Sequence, residues 1–259
     1  MGVLIANYKE PREAFAALMC SPCNHRILLM RGEPGSGKTT LLQHFCERVE
    51  KPAARVPIQL RGSTVNVAEI FSRIGQSIKW DRLPRFTEKV AELEGKPNIK
   101  VDKNWLAGIN NRINVTLRVE NQLDRDERHT ALTDAWFEDM AVLNHPVVIV
   151  FDTYNEAPSE VQNWIEGPFL ARAAGADPIR VVIAGREVPN KNNIEWGSCC
   201  QAHDLFGVED AQHWMPLVEA MRRRVDVRDP QSWLAGICHV LKGNPGEIMK
   251  VIEKLPKIG

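Results

Sequence analysis

Gly32-Glu33-Pro34-Gly35-Ser36-Gly37-Lys38-Thr39 fits G-x-x-x-x-G-K-[ST] at every fixed position. Glycines permit the positive-φ backbone that turns successive N–H groups inward onto phosphate oxygens. The residues on either side supply the context this loop needs. Arg26 to Met30 is a short apolar run, expected as a buried strand, and a helix is expected from about Lys38 to Val49 with Leu41, Leu42, Phe45 and Val49 inward. Such a helix aims its positive end at the same oxygens. Lys38 is expected to reach the β- and γ-phosphates and the Thr39 hydroxyl to ligate Mg²⁺, with Gly32, Glu33, Pro34, Gly35, Ser36, Gly37 and Thr40 completing the cradle.

Further along, Val147-Val148-Ile149-Val150-Phe151 ends at Asp152. Five consecutive apolar residues suit a central strand of a parallel sheet, and an acid at its carboxyl end is placed to hold the Mg²⁺ shell. The bland alternative is an Asp that caps a turn. Arg55–Leu60 reads as a strand whose Pro57 favours an edge. Ile179–Ala184 reads as another buried strand and Gln201–Phe206 as the last. Between them, Ile70, Phe71, Ile74 and Ile78 recur at helical spacing after a cap at Ser63 or Thr64. Thr130–Leu143 and the segment around Trp164 read as helices, the latter bent at Pro168. Residues 80–127 read as an insertion with helix around Phe86–Leu93. Arg112–Val119 alternates Ile113, Val115, Leu117 and Val119 with polar neighbours, which predicts a half-buried strand.

After Phe206 only helical patterns remain. Asp229–Pro230 and Asn244–Pro245 are start signals and Gly243 is a stop. The expected organisation is therefore an α/β domain over residues 1–206 and a helical lid over 207–259. Formal net charge is zero, so the charge does not indicate nucleic acid as a partner, although a local basic patch is compatible with one. No apolar run approaches the ~20 residues that span a bilayer, and the first ten residues lack a basic leader. A cytoplasmic protein with reduced thiols is the expectation. Cys20 and Cys23 precede the first strand and Cys199 and Cys200 the last, with His25 and His203 close by. A zinc site there is weighed against incidental thiols, which the adjacent pair Cys199–Cys200 favours.

These residues together resemble the STAND class of signalling NTPases, relatives of AAA+, NACHT and NB-ARC modules, over nearly the whole chain. Tyr8-Lys9-Glu10-Pro11-Arg12-Glu13 resembles the segment beside the adenine, which implies a cofactor contact for Arg12. Phe151-Asp152-Thr153-Tyr154 resembles the D-T-[FY] form of the second motif. Val182-Ile183-Ala184-Gly185-Arg186 looks like the sensor strand, whose arginine reads the γ-phosphate. Gly243-Asn244-Pro245 looks like the G-x-P lid motif, whose proline packs on the base. The resemblance implies a P-loop NTPase fold with parallel strand order 5-1-4-3-2 and ATP with Mg²⁺ as cofactors. It also implies a slow ATPase switch that controls assembly with a separate protein partner or with itself, in signalling or defence.

Two departures qualify that picture. Asn155 stands where bacterial members often carry Glu; Glu156, the next residue, is then the candidate acid, and slow hydrolysis is expected. The sequence runs only through the lid and not into the winged helix, repeat array and effector domain that the resemblance implies, so the module is expected either to act on a separate chain or to be an excised piece. Two rival functions stay open. One is an AAA+-like ATPase that remodels DNA or protein, for which Arg222-Arg223-Arg224 offers arginine fingers. The other is a nucleotide-binding scaffold that never turns over. A small-molecule kinase is disfavoured, because the terminal helices do not resemble an Arg-rich mobile lid.

Overall fold

The computed structural model describes residues 5–20, 24–62, 64–96 and 102–258. In chain order the elements begin with α1 (Lys9–Met19), β1 (Ile27–Gly32), α2 (Lys38–Arg48), β2 (Ala54–Gln59) and α3 (Val67–Ile78). Then come α4 (Pro84–Leu93), α5 (Lys103–Ala107), α6 (Ile109–Leu117), α7 (Gln122–Met140) and β3 (Val147–Asp152). The chain continues with α8 (Ser159–Trp164), α9 (Leu170–Gly175), β4 (Ile179–Gly185) and β5 (Cys200–Leu205). It finishes with α10 (Met215–Ala220), α11 (Pro230–Val240) and α12 (Pro245–Lys254).

The five strands form one parallel sheet in the order β5-β1-β4-β3-β2, as expected. β1, β3 and β4 occupy its middle because their apolar side chains alternate toward two covered faces. Ile27, Leu29, Ile149, Phe151, Val181 and Ile183 face one large core with α3, α4, α6, α7 and α8. Leu28, Met30, Val148, Val150, Val182 and Ala184 face the other, under α1 and α2. Pro57 lies on edge strand β2, where its missing N–H costs no central ladder bond. Val208, Trp214, Leu217, Leu234, Cys238, Ile248 and Ile252 form a third cluster from the helices after β5.

Some expectations are corrected. Arg112–Val119 is not a strand; most of it lies in helix α6, which buries Ile109, Ile113, Thr116 and Leu117 while Val115 points outward. Those buried positions recur at three and four residues, and packing against α3 and α4 selects that period over the alternating one. α7 starts well before Thr130, because Asn121 caps it by accepting from Leu123 N–H at 2.9 Å. Asn66, not Thr64, caps α3, its Oδ1 accepting from Glu69 N–H at 2.8 Å; Ser63 lies outside the described residues. The bend near Pro168 is present as a π-helical segment, Ile165–Phe169, with Gly167 at non-helical φ/ψ. Among the described residues no helix is long and apolar enough to cross a membrane.

Candidate functional site

β1 delivers the chain to the carboxyl edge of the sheet, and the Gly32–Thr39 loop turns there into α2. Gly37, at φ 80°, is the N-cap of α2; Gly35, at φ 82°, has Asn244 so close that an added Cβ would lie 2.5 Å from its Oδ1. Both positions need glycine, for the left-handed backbone and in the second case also for the close approach. Lys38 Nζ lies inside the loop and donates to the carbonyls of Gly32 (2.6 Å) and Glu33 (2.8 Å). Burial lowers the Lys38 pKa and the nearby Arg186 charge lowers it further, while Asp152 and Glu33 oppose the shift.

Asp152, at the end of β3, comes beside the start of α2, and Thr39 Oγ1 donates to its Oδ2 at 2.8 Å. The sequence placed these two residues 113 positions apart, and the parallel sheet brings them together. A hydroxyl next to a carboxylate is a hard oxygen pair, the donor set Mg²⁺ prefers, and it lies at the mouth of the loop. The residues therefore fit a nucleotide-bound Mg²⁺. Thr153 follows at φ 60°, an uncommon conformation for a β-branched residue.

Past that turn, Asn155 Oδ1 accepts from the backbone N–H of Arg186 at 2.8 Å and ties the ends of β3 and β4 together. The exposed Arg186 side chain leaves from that fixed backbone. Glu156 points elsewhere: its Oε2 pairs with Arg61 Nε at 3.1 Å. Lys38, Thr39, Asp152 and Arg186 thus gather around one locus, while Glu156 is paired with Arg61.

The helices after β5 reach the same locus. Asn244, the N-cap of α12, donates from Nδ2 to Pro34 O at 3.2 Å, and Gly246 N–H donates to Gly35 O at 2.8 Å. Tyr8, the N-cap of α1, donates its hydroxyl to Ser36 O, and burial pushes its pKa up to about 12. Between these parts lies a cavity of about 400 Å³, within the ~300–1,000 Å³ range of small-molecule sites. Gly35, Gly37, Lys38, Thr39 and Thr40 form its polar end; Ala6, Tyr8, Trp214, Leu217, Pro245 and Met249 form its apolar end.

Arg12 is not in this lining. It stands on the outer side of α1, in a separate groove toward the far end of α2. Trp214 and Met249 line the cavity and the Asn244 side chain bonds the loop, although nothing near Asn244 in the chain signals a partner some two hundred positions away. At the other end of the sheet, Cys200 does pair in register with Ile27, and Arg26 N–H donates to Cys199 O at 2.9 Å. Even so, no group of three or more metal-ligating side chains occurs among the described residues, and Cys23 lies outside them.

No family model matches the sequence, and no curated protein matches it. Solved structures do match. The Walker-type ATPase PABY2304 of Pyrococcus abyssi superposes with a TM-score of 0.50 at 15% identity, over 95% of this chain and 67% of that one. Cdc6p from Pyrobaculum aerophilum gives 0.53 at 15%, over 97% and 62%. The Aeropyrum pernix Orc1 protein in complex with DNA gives 0.51 at 13%, over 96% and 59%. This chain spans about three fifths to two thirds of their lengths. At such identities the likeness is one of architecture: the chain has the fold of the Walker-type P-loop ATPases.

Proposed function

We propose that this chain is an ATP-dependent molecular switch with slow ATP hydrolysis, and that nucleotide state controls its assembly with a separate protein or with itself. One observation carries the reading: the first turn of α12 is hydrogen-bonded directly to the phosphate loop, through Asn244 to Pro34 and Gly246 to Gly35. Anything bound in the loop must therefore share space with the helical segment 207–259, the proposed lid. A ligand shifts such an element only by its differential affinity for the two positions, and this contact supplies the difference. The neighbours with this fold are ATPases or carry Cdc6 and Orc1 names, which supports ATP as the nucleotide.

In this reading the loop backbone and Lys38 hold the phosphates, Thr39 and Asp152 hold Mg²⁺, and Pro245 and Tyr8 flank the base. Mg²⁺, when bound, supplies positive charge beside the phosphates. Arg186 reads the terminal phosphate from a backbone fixed by Asn155, and Glu156 is the candidate acid. The likeness of the segments around Asp152 and Gly243 to the STAND motifs supports a switch of that kind. The exposed, uncharged face of α11 supports a protein partner.

Lys38→Ala tests the reading. The ammonium compensates phosphate charge inside the loop, and among the described residues no other lysine lines that cavity. Titration with a fluorescent ATP analogue is expected to show most affinity lost; wild-type affinity would sink the assignment. The remodelling reading draws on the DNA-bound Orc1 neighbour. Arg223 is occupied with Leu255 O and Arg224 with Asp226, so only Arg222 of the basic run is left for a finger. Turnover stimulated by duplex DNA would favour that reading over the switch.

A further inference from the structure

Arg12, which the nucleotide cavity leaves out, belongs to a groove of about 720 Å³ between α1 and α2. Its floor is aromatic: Phe15 of α1 and Phe45 of α2 stack with centroids 4.3 Å apart and rings 1° from parallel. Met19 extends the floor and Pro146 closes one wall. Arg12 stands on one bank and Arg48 on the other, both exposed. Among the described residues neither guanidinium has an ion pair or a side-chain hydrogen bond. Lys9 on the rim is already paired with Glu13 at 3.8 Å, so Glu50 is the only carboxylate among the lining residues left to face the two arginines.

A solvated surface arginine needs no partner, and one alone would carry no argument. Here two unpaired guanidiniums flank an apolar floor inside a concavity of small-molecule size, where the ~300–1,000 Å³ range applies. A stable protein interface instead covers roughly 800 Å² per partner, far more than one such groove offers. Stacked rings below and guanidiniums above suit a flat or acyl apolar body with one anionic group.

The groove also shares both its helices with the nucleotide cavity. α1 begins at Tyr8, whose hydroxyl holds Ser36 O; α2 begins at Lys38 and ends with His44, Phe45 and Arg48 in the groove. We propose that this groove is a second ligand site, for a small amphipathic anion, coupled to the phosphate loop through α1 and α2. The coupling half rests on the nucleotide-binding reading above; the binding half does not.

The test uses 8-anilinonaphthalene-1-sulfonate on the whole chain, with saturating ADP to occupy the other cavity. Saturable binding of one probe per chain is expected. Arg12→Ala with Arg48→Ala should weaken it about tenfold or more, and Ala16→Trp, which fills the groove from α1, should block it. Both variants should keep the wild-type thermal midpoint. N-phenyl-1-naphthylamine, which lacks the sulfonate, should bind about tenfold more weakly. Equal binding by the two probes, or probe binding untouched by both variants, overturns the site. Coupling is read by reciprocity: saturating probe should shift the ADP Kd roughly threefold or more, and ADP should shift the probe Kd by the same factor. An ADP Kd indifferent to the probe overturns the coupling. If ADP itself fails to bind while the probe still does, the nucleotide reading falls and the groove stands.

Discussion

Asn155 and Glu156 are where the sequence and the geometry together say most about rate. The Asn155 amide is spent on the Arg186 backbone and Glu156 is held by Arg61. Both side chains already hold partners of their own, so turnover is expected well below the ~10 s⁻¹ median of enzymes. Glu156→Gln should abolish what hydrolysis there is while leaving nucleotide affinity within about twofold, read by single-turnover phosphate release. Hydrolysis unchanged in that variant would move the base elsewhere. A second residue-scale expectation concerns His129, which is 4% exposed in α7 with Glu160 Oε1 at 3.5 Å. Burial lowers its pKa, and the Glu160 charge only partly opposes this. The unfolded state then binds the proton more readily than the folded one. The contribution of His129 to stability is full above its ordinary pKa of about 6.5 and fades as pH falls below it. Thermal midpoints at about pH 7.5 and pH 5.5 should show a drop that is smaller in His129→Gln than in wild type. An identical drop in both would mean that other groups govern the acid limb.

Asn244 links local helix physics to the site. As N-cap of α12 it accepts from Glu247 N–H at 3.2 Å, and its Nδ2 holds Pro34 O. Asn244→Ala should cost about 1 kcal/mol of stability as a lost cap. Asp229, which caps α11 by accepting from Ser232 N–H, is the control. Asp229→Ala should cost a similar amount and leave ATP-analogue affinity alone, whereas Asn244→Ala should weaken it roughly threefold or more. Equal affinities in the two variants would show that the loop contact carries no coupling. Elements with a local signature were legible in the sequence: the glycine loop that leads into α2, the apolar runs of β1, β3 and β4, the Asp229–Pro230 start. α6 was not, because Ile113, Val115 and Leu117 satisfy a period of two while Ile109, Ile113 and Leu117 satisfy a helical one. The choice is made by α3 and α4, which the sequence of α6 does not contain. Asn244 was legible as a cap and illegible as a loop ligand for the same reason. Its partner lies 210 residues away, and no periodicity records such a distance.

At the scale of the whole molecule, two bodies of packing meet over the phosphate loop: the sheet with its two covered faces, and the helical cluster around Trp214, Leu234 and Ile248. α11 is part of the second and contains no charged residue between Asp229 and Lys242. Trp233, Ile237 and Val240 recur along it at the spacing of one helix face, and Val240 is 75% exposed while Trp233 and Ile237 are half-buried. A charge-free, partly apolar face of this kind usually marks an interaction surface. It moves with α12 if the lid moves, and α12 is bonded to the loop that receives the nucleotide. Occupancy of the loop should therefore change how this face is presented, and with it the mass of the particle in solution. Light scattering with ADP and with a non-hydrolysable ATP analogue is expected to give different masses for the chain alone or with a partner added. Val240→Glu should remove the difference while nucleotide binding persists, because Val240 is outside the nucleotide cavity and its exposed side chain leaves the core intact. A monomer of one mass in every nucleotide state, indifferent to Val240→Glu and to added proteins, would leave a nucleotide-binding fold with no switch attached to it.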